Sequence, residues 1–274
     1  MSVKMLIHFL LIFTILTICT SVNAHSRLID KEEDDEYEWE IRPKTYLAYR
    51  SNPLIGRPKA KRIISSDIDI SYYGENFFFD DVLGYTLYVN DSFMFNSIAS
   101  VTEDFILFNE FTYKIDDVPE LRALRERVPS LNGGMEFMVN GKWGELTMQL
   151  QTDLLSVHQG HIADFTYAQI FSGDKWDIRP TVGVIWKSSK YVDYYYGVSA
   201  EDANATSLPE YEGRAALNWY ISIEARYQIN DAWNFVTGYY VQYADDGMAD
   251  SPLMESDRYI EALAGVEWVK RFNW

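Results

Sequence analysis

One cysteine, four histidines and 24 basic residues against 41 acidic ones are the scarcities of this 274-residue chain. The cysteine, Cys19, falls inside an expected signal segment, so the mature chain has no disulfide and no thiol chemistry. The histidines are His8 in that segment, His25 at the expected mature start, and His158 and His161 close together in the middle. A structural metal site takes about four ligands, and neither a cysteine nor a third histidine lies near that pair, so no metal is expected. Ser156 stands beside His158, but a triad also needs an acid that orients the histidine and an oxyanion frame. No catalytic residue, cofactor or enzyme activity is therefore assigned. The formal net charge of -17 argues against nucleic acid, whose phosphates call for a basic face.

Long apolar runs are also lacking. The one at the start, Leu6 to Ile18, follows Lys4 and is too short for a spanning helix. With Val22-Asn23-Ala24 as the cleavage step, residues 1–24 read as a signal peptide. Ile18 stands where a lipobox needs a small residue, which argues against lipidation of Cys19. Residues 25–42 carry the acidic run Asp30 to Glu36 and read as a disordered N-terminal arm, with residues 43–274 as the folded domain.

What is abundant is aromatic residues, 16% with 20 tyrosines, and alternation. From Tyr259 to Trp274, Ile260, Ala262, Ala264, Val266, Trp268, Phe272 and Trp274 share one face, whereas Glu261, Glu267 and Arg271 share the other. Period two marks a β-strand, and this one is long enough to cross a bilayer when tilted. Lipid-facing and lumen-facing residues that alternate define a transmembrane barrel. The terminal aromatics Trp268, Phe272 and Trp274 resemble the signal by which barrel-assembly machinery takes up outer-membrane proteins.

Alternation and turn chemistry predict further strands. Leu131–Val139 and Lys142–Leu154 are joined by Asn140-Gly141, a preferred pair for a tight hairpin. Asn218–Ile229 and Ala232–Ala244 are joined by Asn230-Asp231. Others are expected at Lys44–Arg50, Ile64–Tyr73, Asn76–Val89, Ser92–Ser100, Glu103–Tyr113, His161–Phe171 and Trp176–Lys187. With the last strand they make an all-β, antiparallel up-and-down barrel of about twelve strands, ten being the alternative. Connections at Gly74-Glu75, Val101-Thr102, Asn140-Gly141, Ser172–Lys175 and Asn230-Asp231 are short and are placed in the periplasm. Those at Ser51–Ile63, Ile115–Ser130, Ser188–Leu217 and Asp245–Arg258 are long and are placed outside. Pro119 to Val128 reads as a short helix in an outer loop, with Leu121, Leu124 and Val128 on one side.

The inward positions are rich in charge: Asp67, Asp69, Glu110, Glu136, Glu145, Asp164, Arg179, Lys187, Glu224, Arg226, Glu261, Glu267 and Arg271. They imply a wet lumen knitted by arginine–carboxylate pairs, or a cation-preferring pore. Arg57, Lys59, Lys61 and Arg62 concentrate basic charge in the first outer loop, where they are candidates for binding lipopolysaccharide phosphates beside the membrane lipid.

The segment Asp193–Leu253 carries more specific features. DYYYGVSAEDANATSLPEYEG runs from Asp193 to Gly213, and Ala249 to Met254 reads ADSPLM. With Tyr49-Arg50-Ser51 before Pro53, Tyr73-Gly74 before Phe77-Phe78, Gly133-Gly134, and Gly160 to Asp164, this resembles the MipA/OmpV family of outer-membrane proteins. The sequence Arg50-Ser51-Asn52-Pro53 and the acidic arm depart from the family pattern. The resemblance implies a non-enzymatic outer-membrane barrel. The family's namesake is described as a scaffold between a lytic transglycosylase and a bifunctional penicillin-binding protein; other members are described as porin-like or adhesive.

Overall fold

The computed structural model describes residues 39–56, 61–80, 82–102, 104 and 123–273. The signal segment, the arm up to residue 38, Arg57, Lys59, Glu110 and Trp274 lie outside the described residues, as do residues 105–122.

Alternation dominates the described chain, and it produces one antiparallel sheet. Strand β1 (Trp39–Arg50) begins five residues before the strand expected from Lys44, because Glu40, Arg42 and Lys44 all turn inward while Trp39, Ile41 and Pro43 do not. Then follow β2 (Lys61–Tyr73), β3 (Phe77–Asp80), β4 (Val82–Val89), β5 (Phe93–Val101), β6 (Leu131–Gly141) and β7 (Gly144–Asp153). The second half holds β8 (His161–Ala168), β9 (Phe171–Ser172), β10 (Trp176–Lys187), β11 (Ala216–Gln228), β12 (Trp233–Tyr243), β13 (Arg258–Trp268) and β14 (Lys270–Phe272). Strands β1 to β8 pair in sequence order, β8 and β9 both pair with β10, β10 to β13 pair in order, and β13 and β14 return to β1, so the sheet closes on itself. β9 continues β8 and β14 continues β13, which makes a closed antiparallel barrel of twelve strands.

Two expected strands are corrected. Asn76–Val89 is not one crossing: Phe79 pairs with Leu83 and Asp80 with Val82, so the chain reverses between Asp80 and Val82. Pairs across that reversal have equal parity, so Phe77, Leu83, Tyr85 and Leu87 stay on one face and the pattern looks unbroken. No strand lies between β5 and β6, because Phe93–Val101 pairs directly with Leu131–Val139; apart from Asp104, the described residues do not include the expected strand Glu103–Tyr113. The extra reversal also moves Val101-Thr102 to the outer end and places the turn at Asn90–Ser92 in the periplasm.

The β6–β7 turn sits at Lys142-Trp143 rather than Asn140-Gly141, with Gly141 opposite Gly144. Gly144 takes a φ of +119°, and a Cβ there would lie 2.5 Å from the Ala168 carbonyl, so only glycine fits. At the second predicted hairpin, Asn230 Oδ1 accepts from the Ala232 and Trp233 amides, as expected for a turn-forming asparagine.

Apolar side chains cover the outside of the wall. Ile64 (81% exposed), Leu47, Leu150, Val182, Ile221 and Ile223 face outward from different strands. Aromatics gather at both rims. Trp143 stacks on Tyr167, and Trp176 lies 4.6 Å from Tyr227 at the turn end; Trp219 stacks on Tyr243 at 4.1 Å at the loop end. An apolar band between aromatic girdles is the lipid-facing surface of an outer-membrane barrel. None of the described helices is long and apolar enough to cross a membrane.

Candidate functional site

The inside of the barrel divides into a paired wall and an open one. On β1, β2, β11, β13 and β14, inward charges meet at close range. Lys44 Nζ donates to Asp69 at 2.9 Å, Arg50 reaches Glu261 at 2.9 Å, and Arg226 reaches Glu267 at 2.7 Å. Glu40 takes Arg271 at 2.6 Å and Arg42 at 3.3 Å, and Tyr46 donates to Asp67. Asn234 also donates to Glu267 at 2.9 Å. Of the predicted lumen charges, Arg226, Glu261, Glu267 and Arg271 thus belong to this network, and Glu224 lines the cavity on the other side. Glu40 and Arg50, which hold Arg271 and Glu261, and Arg42 and Lys44, which hold Glu40 and Asp69, are not among the sequence candidates. The i, i+2 spacing of Glu40, Arg42 and Lys44 was the available signal, hidden by its closeness to the acidic arm.

The opposite wall, mainly β5 to β11 with Asp80, Val82, Tyr240 and Gln242 at its edges, lines a cavity of about 300 Å³. Its acids include Glu136, Glu145, Asp164 and Glu224, and its bases are Arg179 and Lys187. Arg179 donates to Glu145 Oε1 at 3.0 Å, and Glu136 accepts from Asn96 at 2.8 Å and Gln149 at 2.7 Å. Above it, Lys187 donates to Asp104 at 2.6 Å and Tyr191 forms part of the roof.

That roof is a folded cap made by the outer loops. Helix α1 (Ser189–Tyr196) carries Tyr191, Val192, Tyr195 and Tyr196 inward, and α2 (Ala200–Ala205) and α3 (Asp246–Ala249) flank it. The tyrosines pack with Leu54, Val198, Met248 and Leu253 in one buried apolar cluster. Backbone contacts tie distant loops together: Ile55 donates to the Leu253 carbonyl at 2.9 Å, and Val198 bridges Tyr211. Ser251 Oγ donates to the Tyr196 carbonyl at 2.5 Å. Ser199 and Asp202 form a capping box that starts α2. Asp202 also accepts from the Arg125 amide at 2.9 Å, and these donors hold its carboxyl below the usual range although burial opposes them.

The expected helix Pro119 to Val128 is not found where it is described: Ala123 and Leu124 turn, and residues 125–130 run irregularly over the cap. There Arg127 donates to the carbonyls of Arg125 (2.7 Å), Gly197 (2.8 Å) and Tyr195 (3.3 Å). Free carbonyls at the end of α1 attract a cation, and the Arg127 guanidinium satisfies two of them. Burial, then the charge of Arg125, lowers the Arg127 pKa to about 10.

His158 is buried beside this cap, 4.8 Å from Tyr191 ring to ring. Its Nδ1 accepts from the Gly160 amide at 3.0 Å and its Nε2 lies 3.0 Å from Asn132 Oδ1, which fits a neutral ring with the proton on Nε2. It is a packing histidine. Among the described residues no group of three histidines, cysteines or carboxylates converges on a metal position. Of the basic cluster, Arg62 is exposed on the outward side of β2 near its outer end, and the Lys61 side chain is outside the described set. Trp268 pairs with Trp233, and Phe272 with Trp39.

The motif that suggested a family is thus the core of the cap, and a family model described as "MltA-interacting protein MipA" matches residues 59–270. The chain belongs to the MipA family. Relatives include YiaT of Escherichia coli O157:H7, named for the outer membrane, 22% identical over 81% of this chain and 87% of its own. The MltA-interacting protein of Escherichia coli K12 is 25% identical over 68% of this chain and 73% of its own. The outer membrane protein OmpV of Vibrio cholerae is 24% identical over 69% and 72%. Among solved structures, the translocator domain of autotransporter NalP from Neisseria meningitidis covers 98% of each chain at 13% identity and a TM-score of 0.42. With this family and this barrel, the MipA-family chain is a protein of the bacterial outer membrane.

Proposed function

We propose that this MipA-family barrel is a scaffold of the cell-wall machinery, bringing a lytic transglycosylase and a bifunctional penicillin-binding protein together at its periplasmic face. The name of one relative, MltA-interacting protein, points toward such a partner. The observation that carries the reading is the cap. Leu54, Tyr195, Tyr196 and Leu253 are fully buried over the outer mouth, so the surface left for protein partners inside the cell wall is the periplasmic rim. That rim offers the turns at residues 74–76, 90–92, 142–143, 173–175 and 229–232. The role involves no catalytic step of its own. In the same proposal, the last strand is read by the barrel-assembly machinery, and Arg62, with Arg57, Lys59 and Lys61, contacts lipopolysaccharide. The test is recovery of both enzymes in one complex on the immobilised, refolded full chain. Failure to retain either enzyme refutes the scaffold.

A second reading, a small porin-like channel with an acidic lumen, is favoured by the cavity and its excess of carboxylates. Planar-bilayer recordings separate the two. Steady, cation-selective steps that fall when Glu224 or Glu261 is neutralised favour the channel, and a silent bilayer favours the capped scaffold.

A further inference from the structure

The cavity wall carries an excess of negative charge over positive. Six acidic residues line the cavity, Asp80, Asp104, Glu136, Glu145, Asp164 and Glu224, against only Arg179 and Lys187. Lys187 is held by Asp104, and Arg179 uses one oxygen of Glu145. The second oxygen, Glu145 Oε2, has no hydrogen-bond partner although the residue is only 4% exposed. A buried carboxylate oxygen without a donor costs free energy unless something supplies one.

The acids stand in two tiers. Glu136 pairs with Gln149 and Gln149 with Asp164, so these two carboxylates lie at one level of the barrel. Glu145 and Arg179 lie at a second level, with Glu224 directly opposite Arg179. From Gln149 to Glu145 along β7 is about 13 Å at a rise of ~3.3 Å per residue. Carboxylates spread over two levels do not converge on a metal ion, and no metal cluster is found among the described residues. Spaced negative charge along a narrow polar chamber suits an elongated molecule with a positive charge at each end. Met138, opposite Thr147, lies between the two tiers and offers an apolar surface to a methylene chain between those ends.

We propose that the chamber is a binding site for a linear polyamine, with one ammonium donating to Glu145 Oε2 and another lying at the Glu136–Asp164 tier. This does not depend on the scaffold role, which uses the periplasmic rim.

The test is calorimetric titration of the refolded full chain in detergent micelles with spermidine and putrescine, with succinate and butanediol as anionic and neutral controls. Saturable one-to-one binding of spermidine is expected, with none for the controls. Glu145→Gln should weaken it at least tenfold. Glu261→Gln, whose carboxylate is on the paired wall, should leave it unchanged. Ser222→Arg puts bulk and a positive charge into the chamber from β11, so it should abolish binding even if the Glu145 variant fails to fold. Heat-modifiable gel mobility reports folding for each variant. Absence of saturable binding, equal affinity in folded Glu145→Gln or Ser222→Arg protein, or comparable binding of butanediol or succinate would overturn the proposal. Loss of enzyme pull-down with spermidine binding intact would remove the scaffold and leave this site standing.

Discussion

Replacing Arg127 by alanine should loosen the cap and leave the barrel intact. The guanidinium is 8% exposed and donates to three backbone carbonyls, two of them at the end of α1. Hydrogen bonds from a charged donor contribute about 1.5–3 kcal/mol each, and truncation leaves buried acceptors without partners. Water can re-enter at the mouth and recover part of this, so a net loss of about 3 kcal/mol is expected for the local opening of the cap. At 1.4 kcal/mol per tenfold, the open fraction rises roughly a hundredfold. Amide hydrogen exchange followed by mass spectrometry reads this directly. Peptides from residues 188–215 and 245–257 should exchange faster by that factor, and those from β6, β7 and β11 should not change. Arg127→Lys should recover only part of the protection, because an ammonium cannot span the same three acceptors. Unchanged protection in the loops, or equal loss in loops and strands, would refute the claim that Arg127 holds a separately stable cap.

Other predictions follow from the same contacts. Burial holds His158 below its ordinary value of 6.5, so the unfolded cap binds a proton more readily than the folded one. Cap stability is therefore full above about pH 6.5 and falls as pH drops below it; exchange of residues 154–160 should quicken at about pH 5, and His158→Gln should flatten that dependence. Glu267→Gln removes the partner of Arg226, leaving a cation in the paired wall, so urea unfolding should show a loss of about 3 kcal/mol. Deleting residues 270–274 takes the partners from Trp39, Glu40 and Ile41; the fraction with heat-modifiable mobility in membrane preparations should drop, and an unchanged fraction would show that β14 is dispensable for assembly.

Face assignments were more legible in the sequence than strand paths. Leu146, Met148 and Leu150 face outward, and Gln149 and Gln151 inward, as their alternation indicates, although the adjoining turn lies two residues later than Asn140-Gly141. Moving a turn by two residues leaves every side chain on its own face. The same insensitivity hid the reversal between Asp80 and Val82, because pairing Phe77 with Tyr85 keeps the odd residues outward on both arms. The twelve-strand count thus survived an error in which strands make it up: one expected strand became β3 and β4, and the expected strand Glu103–Tyr113 has no place between β5 and β6. Arg226, Glu261 and Glu267 lie inside, and Arg271 is half exposed at the turn end where it reaches Glu40, but their partners depend on register, which alternation does not encode. The cap was legible only as a motif. Tyr191, Tyr195 and Tyr196 recur at helical spacing, yet nothing in the local pattern says that Leu54 and Leu253, nearly two hundred residues apart, complete the cluster.

That separation along the chain imposes an order on biogenesis. Leu54 belongs to the first outer connection and Leu253 to the last, and the amide of Ile55 meets the carbonyl of Leu253 only once both have reached the cell surface. The lid is therefore the final piece to lock, after the first and last strands have met. Until then the tyrosine cluster lacks its two leucines from the ends of the chain, and a protein stalled at this step should carry a looser lid.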